Sequence, residues 1–88
     1  MGVSLNVKSS ILPINGLRHP PRLHTNGWYI WGGETFPDDD AFKALHYCRV
    51  ATWNPPITKY LSLPPGSRFL TDGAHEDVWF DKSLLDIA

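Results

Sequence analysis

The chain has 88 residues, of which 42% are hydrophobic and 19% charged, and its formal net charge is −1. This length suits one domain over 1–88 with a modest core, and the near-neutral balance argues against a strongly basic nucleic-acid binder or an acidic disordered tail. A single cysteine, Cys48, excludes an internal disulfide framework and a four-cysteine zinc site. Apolar runs fall far short of the roughly 20 residues of a membrane span, and no secretory signal pattern is present. We therefore expect a cytoplasmic protein without a membrane partner.

The N-terminal third predicts a loose segment followed by two strands. Residues 1–12 show only a weak alternation of apolar side chains, which indicates a loosely ordered segment. A strand is expected around Ile14–Arg18, and Pro13 before it favours the edge of a sheet. A second strand is expected over Gly27–Gly32, where aromatic and β-branched residues stand between turn signals.

The middle of the chain predicts one main helix over Asp39–Ala51. Residues from Phe42 to Trp53 recur at helical spacing, and Asp38–Asp40 suit a helix N-terminus because carboxylates accept hydrogen bonds from its free N–H groups. A proline pair ends this helix and suits the first turn of a short second helix over Ile57–Leu61. The side chains expected to cover the core face are Phe42, Leu45, Cys48, Ile57, Tyr60 and Leu61.

The C-terminal part predicts a β-hairpin with a definite register. Strands Ser67–Thr71 and Glu76–Phe80 flank a short loop, and pairing the last residue of one with the first of the other fixes every opposite pair. This register places Phe69, Val78 and Phe80 together on the expected core face. Arg68 and Trp79 then lie on the other face, with Asp77 as a diagonal neighbour. Contact between an arginine and an exposed indole is worth about 0.5–1 kcal/mol.

Together these elements predict an α+β fold, with a small antiparallel sheet of about four strands and both helices on one face. Aromatic residues occupy both faces of the strand at Trp28–Trp31 and of the last hairpin. Helices on one face would leave apolar surface on the other, and such surface often marks an interface. A partner protein, a second copy of the chain, or the N-terminal 24 residues would have to cover it.

No residue pattern points to catalysis or to metal binding. His46 is expected to border the core, and Cys48, two positions away, would lie on another side of the helix as a small buried hydrophobe. The histidines lack metal-ligand spacing, and Asp38–Asp40 lacks the alternating oxygens of a calcium loop. The basic segment Arg18–Arg22 carries too few charges for nucleic acid. We expect no catalytic residue, no metal, no cofactor and no nucleic-acid partner.

Three segments in a fixed order resemble a known family: Thr25–Glu34, Leu63–Leu70 and Glu76–Asp81. From about Asn15 to the C-terminus, the chain resembles the immunity-protein 33-like family of small bacterial domains, which is associated with polymorphic-toxin systems. The resemblance implies an α+β domain with a non-enzymatic role in binding a toxin, and it carries over no catalytic residue.

The chain departs from this family at two positions. Ser67 stands where relatives have a tryptophan before the arginine, which removes one aromatic ring. Arg49 stands where relatives often have a second histidine after His46. A metal or acid–base site built on a histidine pair is therefore not expected in this chain.

The leading hypothesis is a protein-binding domain, namely an immunity protein that blocks a cognate toxin. Such a protein needs only aromatic and arginine anchors, with acids that attract a basic toxin. Two alternatives stay open: a small enzyme or ligand-binding domain that pairs His46 with a carboxylate, and a homo-oligomerising domain. The predicted partner-binding residues are Trp31, Glu34, Arg68, Asp77 and Trp79, with the two tryptophans and the arginine as surface anchors.

Overall fold

The computed structural model describes residues 1–9, 11–22, 25–35, 37 and 42–86. Within these ranges the chain forms a mixed sheet of six strands in the order β4-β1-β3-β2-β5-β6. The strands β1 and β3 are parallel, and every other neighbouring pair is antiparallel. The strands are β1 (Gly2–Ser4), β2 (Ile14–Arg18), β3 (Trp28–Gly32), β4 (Phe42–Ala44), β5 (Ser67–Thr71) and β6 (Glu76–Phe80).

The helices are short. Among the described residues, α1 (Leu5–Lys8) and α2 (Tyr47–Trp53) are α-helices, and Pro55–Tyr60 and Lys82–Leu85 are 3-10 helices. No helix in the described part of the chain is long and apolar enough to cross a membrane. The first 3-10 helix begins at a proline pair, where the missing N–H groups cost no helical hydrogen bond.

The main core lies between one sheet face and α1, α2 and the first 3-10 helix, and Phe69 is central to it. Only 1% of Phe69 is exposed. Its ring stacks on Tyr60, with 4.3 Å between centroids, and meets the edge of Trp28 at 5.7 Å. On β2, Gly16 lies directly opposite Phe69, and a Cβ at Gly16 would come within 2.1 Å of the ring. The other buried members of this core are Val3, Val7, Ile14, Ile30, Val50, Ile57 and Leu61.

The opposite sheet face is covered near its centre by the chain itself. Leu84, from the last 3-10 helix, packs with Leu17 and Trp31. The His19 ring contributes an N–H that donates to the Leu84 carbonyl at 3.0 Å, if Nδ1 carries the proton. The ring of Phe42 meets Trp31 edge-on, with centroids 6.5 Å apart. This second, smaller core is therefore closed by the last 3-10 helix and by β4.

The four predicted strands are present, and the hairpin register is confirmed at every pair from Ser67↔Phe80 to Thr71↔Glu76. The sheet nevertheless has two further strands and is mixed, so the expectation of a four-stranded antiparallel sheet is correct only for its β3-β2-β5-β6 part.

The predicted loose segment over 1–12 is wrong for Gly2–Lys8. Val3 and Val7 have no exposed surface, and β1 pairs with both β3 and β4. The Asn6 side chain also bridges both backbone groups of Gly32: its amide donates to the carbonyl at 2.7 Å, and its oxygen accepts from the N–H at 2.9 Å. Burial of two valines and these hydrogen bonds hold the segment in place.

The predicted helix over Asp39–Ala51 is wrong in its first part. Phe42–Ala44 is a strand because it pairs antiparallel with β1, and such long-range pairing overrides local helical spacing. The helix α2 begins at Tyr47 and continues to Trp53. The capping role expected for Asp38–Asp40 lies outside the described residues.

The altered course of this segment changes which side chains reach the core. Ile57, Tyr60 and Leu61 are buried as expected, and Leu45 packs against the main core. Phe42 instead packs on the opposite face, and Cys48 is exposed, so its prediction as a buried hydrophobe is wrong. On α2 it is Val50 that is fully buried, because the helix starts eight residues later than predicted.

We expect Phe69→Ala to lower the free energy of unfolding by about 3–5 kcal/mol, because it removes a fully buried ring that the short helices cannot replace. Urea denaturation followed by circular dichroism measures this value. Val78→Ala is the matched control, since Val78 is paired directly with Phe69 but is half exposed. Similar losses in the two variants would contradict this description of the core.

Candidate partner-binding surface

The strand β6 lies at one edge of the sheet, and all five of its residues are exposed. The exposed fractions are 50% for Val78, 42% for Trp79 and 59% for Phe80. Val78 and Phe80 point to the side of the main core, whereas Trp79 points to the opposite side. Both sides of this strand therefore present apolar surface. We call β6, together with Arg68 and Asp81, the β6 surface.

Arg68 and Trp79 form the first feature of the β6 surface. The guanidinium carbon of Arg68 lies 5.5 Å from the centroid of the Trp79 ring. The Nη1 group of Arg68 donates to the Asp81 carboxylate at 3.2 Å, and Asp81 also accepts from the Ser83 backbone N–H at 3.1 Å. Hydrogen bonds from Ser83 and then from Arg68 lower the pKa of the Asp81 carboxyl. Asp81 thus holds the arginine in position beside the indole.

Glu76, at the start of β6, is tied to the first 3-10 helix. The Tyr60 hydroxyl donates to its carboxylate, and the Lys59 ammonium lies 2.8 Å from the same oxygen. These contacts lower the pKa of Glu76, with the Lys59 hydrogen bond as the larger cause, while burial mainly raises the pKa of Tyr60. The contacts with Tyr60 and Lys59 hold the first residue of β6 in place, although the helical layer does not cover the rest of the strand.

Asp77 is the carboxylate of β6 that has no such contact. It is exposed, lies opposite Leu70, and shares the sheet side of Trp79. No ion pair of Asp77 is found among the described residues. The segment 72–81 contains four acidic residues and no lysine or arginine, so this end of the chain presents negative charge next to exposed apolar groups.

Of the five predicted partner-binding residues, the structure brings Arg68, Asp77 and Trp79 together on one side of the β6 surface. Glu34 is exposed in the loop after β3, at the sheet end where β6 begins, but β2 and β5 lie between. Trp31 is only 4% exposed, so its prediction as a surface anchor is wrong. Leu84 and Phe42, both distant in sequence, cover its ring.

Sequence reasoning missed Val78 and Phe80 as surface residues. The strand alternation correctly places both side chains on the same side of the sheet as Phe69. On that side the helical layer ends at Tyr60, which stacks on Phe69 of β5, so it leaves Val78 and Phe80 on β6 exposed. The Phe80 ring lies over Gly66, where a Cβ would approach it to 2.5 Å. No local sequence signal marks this exposure, because it depends on how far the short helical segments between β4 and β5 reach over a six-stranded sheet.

The alternative based on His46 receives no support from its surroundings. The His46 side chain is exposed and lines a shallow depression of about 310 Å³ with Arg22 and Tyr47. No carboxylate is among the residues described as lining this depression, and His46 forms no ion pair with a described residue. The residues that the structure describes also contain no group of three or more side chains suited to holding a metal ion.

The mixed sheet and its short helices define an α+β protein. Residues 1–81 match the family model described as Imm33-like domain, and the chain belongs to this family. Membership confirms the resemblance seen in the sequence and places the chain in a toxin-immunity family, which is generally non-enzymatic. A search of curated proteins and a search of solved structures each gave no match.

We expect the stability of the protein to fall as the pH decreases below about 4.5, the ordinary pKa of Glu76. The pKa values of Glu76 and Asp81 are lower in the folded chain than their ordinary values, so the stabilisation is complete above those values and is lost as pH falls through the folded ones. Melting temperatures between pH 6 and pH 2 measure this dependence. Asp81→Asn should flatten the curve, and an unchanged curve would contradict the assigned contacts.

Proposed function

We propose that this chain is a bacterial immunity protein that binds and blocks a cognate protein toxin through the β6 surface. Membership of the Imm33-like family supports the class of partner. The observation that carries the choice of surface is the exposure of three consecutive apolar residues, Val78 to Phe80, on an edge strand. Scattered exposed apolar residues are ordinary, whereas exposed apolar residues at consecutive positions of an edge strand favour an interface.

The chemistry of the β6 surface suits a binding anchor. Tryptophan and arginine are enriched among the residues that contribute most binding energy, and Trp79 and Arg68 lie in contact here. Asp81 already orients the arginine in the free protein, so less conformational entropy is lost when a partner covers it. A toxin that buries this pair would contact both the apolar ring of Trp79 and the guanidinium of Arg68, which Asp81 already holds in position.

The acidic residues near the β6 surface favour a toxin with a basic contact surface. Asp77 presents a carboxylate next to Trp79 that forms no ion pair with any described residue, and Glu34 and Asp72 add further acids at the same end of the sheet. Complementary charge raises the association rate and suppresses wrong partners more than it raises affinity. To neutralise the toxin, the bound chain needs only to occlude the toxin's active site and performs no reaction itself. The complex would form in the cytoplasm.

The homo-oligomerising alternative uses the same surface, because a second copy could also cover Trp79 and Phe80. Sizing of the purified protein separates the two possibilities. The proposed function predicts a monomer that forms a complex with the toxin, whereas a stable dimer that leaves the toxin unbound would favour the alternative.

Co-expression of the chain with a toxin encoded beside its gene tests the proposal. We expect the wild-type chain to restore growth and to co-purify with the toxin, because occlusion of the toxin requires a stable complex. Trp79→Ala should weaken the complex by about 2 kcal/mol or more, the range of anchor residues. Calorimetric titration measures this loss.

Tyr47→Ala is the matched control for Trp79→Ala, because Tyr47 is an exposed aromatic residue on α2 rather than on the β6 surface. Both variants should unfold at the same urea concentration as the wild type within error. A failure of the wild-type chain to restore growth or to bind the toxin would overturn the proposed function.

A further inference from the structure

One side of the β6 backbone pairs with no described strand. In the hairpin, the Asp72 N–H donates to the His75 carbonyl, and the Asp81 N–H donates to the Gly66 carbonyl. In an antiparallel ladder such pairs recur at every second residue, so Asp77 and Trp79 direct their backbone groups toward β5. The N–H and C=O groups of Glu76, Val78 and Phe80 therefore point away from the sheet, and none of them bonds to another described residue.

The side chains along this open edge form two rows of different chemical character, one on each side of the sheet. On the core side, Val78 and Phe80 are apolar and more than half of the Phe80 surface is exposed. On the other side, Asp77 forms no ion pair with a described residue, and the indole of Trp79, which Arg68 approaches, attracts cations. An added strand would place its own alternate residues beside these two rows, because its side chains have the same period of two.

We infer that β6 accepts an extended segment of the partner as a seventh strand, and that this segment alternates apolar and basic residues. Its apolar residues would lie beside Val78 and Phe80, and its lysine or arginine side chains would lie beside Asp77 and Trp79. The inference rests on the proposed toxin-binding function and specifies its mode: backbone hydrogen bonds to Glu76, Val78 and Phe80 supply affinity, and the two rows of side chains supply specificity.

Charge disfavours a second copy of β6 as the occupant. Each copy would bring the carboxylates of Glu76, Asp77 and Asp81 to the shared edge without a lysine or arginine within the strand. Acidic residues on an edge strand oppose pairing between identical edges, whereas a basic strand is attracted by them. Lys59 and Arg68 compensate Glu76 and Asp81 within one chain, so Asp77 is the charge that selects the partner.

The experiment uses the full chain and a blocked peptide in which lysine and valine alternate, added at millimolar concentration. Amide hydrogen exchange measured by nuclear magnetic resonance reports each backbone N–H separately. We expect exchange at Glu76, Val78 and Phe80 to slow by about tenfold or more, whereas Asp77 and Trp79, already bonded to β5, change little. A peptide with glutamate in place of lysine is the control and should give no protection.

Two variants, with Val78→Ala as the control for the first, separate backbone pairing from simple charge attraction. Val78→Pro removes an outward N–H without breaking a bond to β5 and should weaken peptide binding about tenfold, whereas Val78→Ala keeps that N–H and should bind more tightly than the proline variant. Asp77→Lys leaves the backbone intact and should reverse the preference, so that the glutamate peptide binds better than the lysine peptide. This second variant keeps the test decisive if the proline variant does not fold.

The outcomes distinguish this inference from the proposed function. Protection of the three outward amides by the lysine peptide supports the seventh strand even if the neighbouring toxin does not bind. A toxin complex in which those amides stay unprotected, together with no protection by the peptide, overturns the inference but leaves the toxin-binding function intact. Protection that rises with protein concentration in the absence of peptide would show self-pairing and would also overturn it.

Discussion

The ring of Phe69 on β5 packs directly against Gly16 on the neighbouring strand β2. The ring occupies the space that a side chain at Gly16 would fill, stacks on Tyr60 and meets the edge of Trp28. This contact joins β2, β3 and β5 to the first 3-10 helix at one point. Because the helical segments are short, their cover of the sheet ends with Tyr60 over β5. The main core therefore closes at Phe69 and leaves the next strand, β6, outside it.

Outside the core, β6 is held by means other than burial. Its ladder with β5 is complete, Glu76 is bound by Lys59 and Tyr60, and Asp81 is bound by Arg68. Exposed ion pairs contribute little stability on their own, but here they act at the two ends of a strand whose register the ladder already fixes. The result is an ordered strand with apolar side chains and backbone groups open to a partner. Preorganisation of this kind favours binding because little entropy is lost on contact.

Local periodicity predicted the β5–β6 hairpin well, but it predicted the segments around Trp31 and Phe42 poorly. The register of the hairpin and the contact of Arg68 with Trp79 follow from the period of two in neighbouring strands. The strand at Phe42 was missed because β1, far away in sequence, determines it by pairing. Burial of Trp31 was missed for the same reason, since Leu84 returns from the end of the chain to cover it. Exposure of Phe80 depends on the reach of the helical layer, which no local pattern encodes.

We propose that the toxin covers the β6 surface and leaves the core undisturbed. The four tryptophans allow a direct test, because labelling with fluorotryptophan gives each ring its own fluorine resonance, assigned by single substitutions to phenylalanine. On addition of the toxin, we expect a large shift for Trp79 and almost none for Trp28, which is fully buried in the core. Binding of the toxin with an unchanged Trp79 resonance would show that the β6 surface is not the contact.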